Sequence, residues 1–226
     1  MKVFDGTNSN KSKWSTYLAK YWWIWPIVIF FFLICGLFAM CTGGGGGNDK
    51  KPIPSSYLKI ENNILEGLSA EGLKADYSQY DTLTIPANII SISTNAFSNV
   101  TTNLSFVQNL EYINYENDCH LMNVDSNAFL GLTNLQVAEF PLTLNTLGVS
   151  CFESDVNFCM LIIHSTHVVN YSTNLLTGTL FNTQEELNQG MVVVETNDLA
   201  DDYRNASGWN QFPKDAFQSN EETNER

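Results

Sequence analysis

At 226 residues the chain has room for one or two domains, and a hydrophobic share of 44% is enough for a packed core. The formal net charge of −13 argues against nucleic acid or anionic lipid head groups as partners, because both repel an acidic surface. Five cysteines, two of them early in the chain, are too few and too scattered for a disulfide framework.

Residues 1–20 are polar and carry Lys2, Lys11, Lys13 and Lys20. Tyr21 to Cys41 then runs without a charge and holds Trp22, Trp23 and Trp25, with Pro26 near its start. A helix rises about 1.5 Å per residue, so about 20 apolar residues cross a hydrocarbon layer roughly 30 Å thick. The run 21–41 is therefore expected to be one transmembrane helix, with the tryptophans at the interface. More lysines precede it than follow closely (Lys50 and Lys51), which puts the N-terminus in the cytoplasm and the rest outside the cell membrane. A cleaved signal is the rival reading, and a lipidated one would use Cys41. The long polar leader, and Met40 where a small residue is usual before a lipidated cysteine, favour a retained signal anchor. Gly43 to Gly47 open a flexible tether assigned to 42–59. Of 11 Lys+Arg and 24 Asp+Glu, removing the four leading lysines and Asp5 leaves 7 against 23, so the outer part is near −16.

From about residue 60 to 190 the sequence repeats itself. A strand-like spacing recurs as Tyr80, Leu83, Ile85; Leu110, Ile113, Tyr115; Leu135, Ala138, Phe140; and Phe158, Leu161, Ile163. Each is followed by two apolar residues three apart and a closing triplet. These are Ile89 and Ile92 before Asn95-Ala96-Phe97, and Leu121 and Val124 before Asn127-Ala128-Phe129. Leu144 and Leu147 precede Ser150-Cys151-Phe152, and Val168 and Tyr171 precede Asn174-Leu175-Leu176. The closing residues at 97, 129, 152 and 176 give a period of roughly 23, with one insertion that includes Leu104 to Asn109. That period predicts an α/β-type leucine-rich-repeat solenoid: parallel strands joined by turns or short helices, each coil burying its apolar face only against its neighbours. Pro86 and Pro141 fall just past strands, where no ladder donor is needed. A C-terminal capping segment is assigned to 191–213 and an acidic tail to 214–226.

Leu83-Thr84-Ile85-Pro86, Ile89, Ile92 and Asn95-Ala96-Phe97, with their later copies, resemble the BspA-like leucine-rich-repeat family. The lead-in Ile64-Leu65-Glu66-Gly67-Leu68-Ser69 and the closing stretch Val192 to Pro213, with Tyr203, Trp209 and Phe212, are similar to the family's ends. Val194-Glu195 stands where the family usually has Val-Pro. The resemblance covers about 60–213. It implies a bacterial surface or secreted protein that binds other proteins or host and matrix components, and it carries no catalytic residue.

Cys159, His164 and His167 have a loosely metal-like spacing, but no fourth ligand is suggested nearby, so they and His120 read as independent surface or edge residues. No phosphate-cradling loop or Gly-x-Ser-x-Gly elbow occurs. No enzyme, cofactor or metal is expected. Cys151 falls on a core position as a buried thiol, while Cys119, Cys151 and Cys159 allow one bridge without naming the pair. Strand residues between core positions form outward rows: Thr82, Tyr112, Val137 and Met160; Thr84, Asn114, Glu139 and Ile162; and Pro86, Glu116, Pro141 and His164. Tyr112, Val137, Glu139, Met160 and Ile162 are the expected partner-binding patch. The expected function is protein binding or adhesion at a bacterial surface, the partner being a host molecule, a neighbouring cell or a membrane protein. The alternative is a structural subunit of a membrane-associated assembly.

Overall fold

The computed structural model describes residues 51–223, within a unit spanning Asp49–Arg226. The expected segment 1–20, the membrane span 21–41 and the glycine run lie outside the described residues. Among the described residues no helix is long and apolar enough to cross a membrane.

The strands occur in chain order as β1 (Lys51–Pro52), β2 (Leu58–Glu61), β3 (Ile64–Leu68), β4 (Tyr80–Ile85), β5 (Ser91–Ile92), β6 (Tyr112–Tyr115), β7 (Asn123–Val124), β8 (Val137–Phe140), β9 (Thr146–Leu147), β10 (Met160–Ile163), β11 (Met191–Val194) and β12 (Phe217–Ser219). One parallel seven-stranded sheet runs β1-β4-β6-β8-β10-β11-β12. A second, of order β2-β3-β5-β7-β9, is parallel except for the β2–β3 hairpin. Successive coils therefore sit side by side, as the repeat predicts. The two apolar residues three apart do more than turn the chain, since Ile92, Val124 and Leu147 lie in the short strands of the second sheet. In the fourth copy the buried residue is Val169 rather than Val168, one position later than the spacing suggests, and Asn170 bridges to Thr146.

The closing triplets form a third ladder. Asn95, Asn127, Ser150 and Asn174 all have left-handed backbones, with φ of 59°, 57°, 55° and 58°. Asparagine tolerates this conformation better than most side chains, which accounts for its recurrence at that position. The turn aims alternate amides at the next coil. Phe97 N–H donates to Ala128 O at 2.7 Å, Phe129 N–H to Cys151 O at 3.0 Å, and Phe152 N–H to Leu175 O at 3.2 Å. The small residue after it (Ala96, Ala128 or Cys151) is buried, and the phenylalanine enters the core. Rings then stack from coil to coil: Phe106–Phe97 at 5.8 Å between centroids, Phe97–Phe129 at 5.8 Å, Phe129–Phe152 at 5.5 Å and Phe152–Phe158 at 4.6 Å. The insertion supplies helix α1 (Leu104–Asn109), whose N-cap Asn103 accepts from Phe106 N–H and which drives Phe106 and Val107 into the core.

Both ends are closed. At the start, the expected tether 42–59 is too long: β1 already pairs with β4 and β2 begins at Leu58, because Ile53 and Leu58 have core to bury against. At the far end, helix α2 (Asn197–Asn205) is capped by Thr196, whose side chain accepts from Leu199 N–H. The last full coil has no further coil to satisfy Val169. Tyr203 Oη accepts its N–H at 3.0 Å, and Trp209 Nε1 donates to its carbonyl at 2.7 Å. The expected tail 214–226 is corrected likewise, since Phe217 is buried and β12 completes the large sheet.

Candidate partner-binding groove

Three coils deliver charged side chains to the C-terminal ends of strands in the large sheet. Glu139 lies on β8, His164 follows β10 and Glu195 follows β11. Strand register, with Ile162 opposite Glu139 and Ile163 opposite Val194, sets Glu195 level with His164 and Glu139 one row earlier on the same face. His164 Nε2 meets Glu139 Oε1 at 2.7 Å, and its Nδ1 meets Glu195 Oε1. Tyr115, at the end of β6, sets its ring edge-to-face against the imidazole at 5.9 Å. An open groove of about 720 Å³ lies here, lined among others by Tyr115, Asp118, Leu142, His164 and Glu195.

A neutral imidazole has one N–H and can donate to only one carboxylate, whereas the imidazolium donates to both. Burial disfavours the charged form of His164, but the hydrogen bonds and charges of Glu139 and Glu195 outweigh it, and the pKa is raised from 6.5. The Tyr115 phenol is also raised, first by burial and then by the two carboxylates. A histidine raised on folding adds stability that is complete below its unfolded pKa and lost as pH rises through the folded one. Thermal melts of the chain and of His164→Gln are therefore expected to differ most near pH 6 and to converge as pH rises above 6.5. A gap that widens with pH would show that the imidazolium is not what the two glutamates hold.

The expected patch is only partly accessible. Its rows are in register as read, with Thr82 beside Tyr112, Tyr112 beside Val137 and Val137 beside Met160. Yet Val137 is 1% exposed, Met160 5% and Ile162 7%, although none belongs to the apolar core inside the solenoid. Strands about 4.8 Å apart let apolar side chains of one row shield each other's flanks. Tyr112 and Glu139 remain half-buried, and Glu139 turns to His164.

The other singled-out residues separate. His167 Nδ1 meets Ser165 Oγ at 2.9 Å, and Cys159 Sγ donates to Gln136 O at 3.6 Å. Among the described residues no group of three or more His, Cys, Asp or Glu converges on an ion position. Cys119, Cys151 and Cys159 are free thiols, and burial pushes Cys159 up to about 11. Cys151 is buried in the core as expected. Asp155 is a surprise. It is fully buried, Oδ1 accepts from Leu132 N–H at 2.7 Å, and Oδ2 has no hydrogen-bond partner. Burial pushes this carboxyl well above the usual range.

The family model described as BspA type Leucine rich repeat region (6 copies) matches residues 75–171 and 108–189. Among solved structures, the chain resembles the pneumococcal vaccine antigen PcpA at 16% identity and a TM-score of 0.40, over 69% of this chain and 43% of that one. It resembles the T. pallidum leucine-rich-repeat protein TpLRR at 14% identity and a TM-score of 0.32, over 63% and 71%. A leucine-rich cell surface protein of Faecalibacterium prausnitzii A2-165 aligns at 15% identity and a TM-score of 0.27, over 67% and 49%. The chain thus spans less than half of the pneumococcal antigen's length. No curated protein matches it.

Proposed function

Because this chain belongs to the BspA-type leucine-rich-repeat family, we propose that it is a membrane-anchored bacterial surface protein whose repeat domain binds another protein. The observation that carries the reading is the groove at the strand ends. It gathers side chains from four coils, and Leu142 stands 58% exposed on its lining. Aromatic, apolar and charged groups side by side at the ends of hydrogen-bonded strands suit recognition of a protein surface. The domain acts by binding rather than catalysis. The charge-free run Tyr21 to Cys41, with most nearby lysines before it, supports an N-terminus in the cytoplasm and the repeats outside.

The test uses the full chain in intact cells, with a photo-crosslinking residue at Leu142 or at Val100, which is exposed away from the groove. Leu142 is expected to give a discrete protein adduct that Val100 does not. Equal adducts from both, or none from either, would remove the groove as the binding surface. External protease is expected to take an epitope placed at Arg226 while a cytoplasmic marker survives, and the opposite result would reverse the topology.

A further inference from the structure

We propose that the groove receives a lysine or arginine side chain of the partner, its cation lying against the Glu195 carboxylate on the side of the Tyr115 ring. This rests on the groove being the binding surface. Its lining includes Asp118 and Glu195 and neither lysine nor arginine. Glu139 stands behind them on the opposite nitrogen of His164. The two imidazoles of the lining, His164 and His120, can set at most two positive charges against these three carboxylates, so the groove keeps a net negative charge. Each glutamate gives one oxygen to the imidazole, which leaves its second oxygen for another donor. Among the described residues no lysine or arginine lines the groove, and Lys59 and Arg204 are engaged elsewhere, with Glu61 and Glu66 and with Asp201. The rest of the lining suits the stem of such a side chain. Pro141, Leu142 and the Cys119 side chain offer apolar surface for methylenes, while Tyr115 adds an aromatic ring for the cation.

The test measures binding of a fluorescent octalysine peptide to the full chain in phosphatidylcholine nanodiscs at about 0.15 M salt. Octaglutamate and fully acetylated octalysine serve as controls. Octalysine alone is expected to bind. Glu195→Gln, which keeps an acceptor for His164, and separately Tyr115→Leu should each weaken it about tenfold. The exposed pair Glu185→Gln/Glu186→Gln, outside the groove, should change it less than about twofold. Failure of octalysine to bind, binding that survives acetylation, or an equal loss in the Glu185/Glu186 control would overturn the proposal. The wider reading fails separately: a protein adduct at Leu142 that persists when the partner's lysines and arginines are blocked sinks only the cation, whereas absence of any adduct sinks the groove.

Discussion

Replacing Trp209 by alanine is expected to lower the unfolding free energy by about 3–5 kcal/mol, the usual cost of emptying a large aromatic site in a core. The ring is fully buried and packs edge-on against Tyr171 at 5.1 Å and Tyr203 at 5.2 Å. Its Nε1 is also the donor that satisfies the Val169 carbonyl. Trp209→Phe separates the two contributions. It keeps most of the packing but leaves that carbonyl without its donor, at about 1–3 kcal/mol. Urea unfolding of both variants checks this, with midpoints read against a constant slope. A phenylalanine variant as stable as the parent would show that water already serves Val169 and that Trp209 is only a space-filler.

Phe152→Ala is expected to cost a similar 3–5 kcal/mol for a different reason. Phe152 sits in the middle of the ring column, stacked on Phe129 at 5.5 Å and Phe158 at 4.6 Å and touching Phe140 at 6.2 Å. Its loss opens a gap between coils that are tied to each other only through their neighbours. Because a solenoid's stability is close to a sum of nearest-neighbour terms, the defect should also split the unfolding transition. Hydrogen exchange is the discriminating readout. Amides of β10 and β11 are expected to lose protection before those of β4 and β6. A uniform loss across all strands would mean that the domain unfolds as one cooperative block.

Much of this fold is legible in the sequence because the core obeys two spacings at once. Ile89, Ile92, Leu121, Val124, Leu144 and Leu147 are all buried where the three-residue spacing puts them. The asparagines of the closing triplets were equally plain to see, but their backbone conformation follows from a turn that composition alone does not define. The groove was not legible. His164 and Glu195 are 31 residues apart, and they meet only because β10 and β11 pair with Met160 opposite Met191. The visible signals were Glu195, standing where related sequences favour proline, and the outward row that holds Pro141 and His164. Alternation along a strand assigns a face and says nothing of what packs on that face, so Val137, Met160 and Ile162 read as accessible and are not. Phe217 was missed because a three-residue strand after a short 3₁₀ turn is too brief to leave a periodic trace.

The direction of the sheet hydrogen bonds has a mechanical consequence. In the large sheet they run between coils and across the strands, so they lie along the stacking axis. A pull applied between Lys51 at one end and the β11 side of the groove at the other loads the intervening strand pairs in series. Inner coils share the load with the second sheet and the closing-triplet ladder, whereas β1 is held through β4 alone in its sheet, and the weakest junction opens first. β1, with two residues and the amide-less Pro52, is that link. Under tension the domain should lengthen in steps from its N-terminal edge, and the coils that form the groove should be among the last to part.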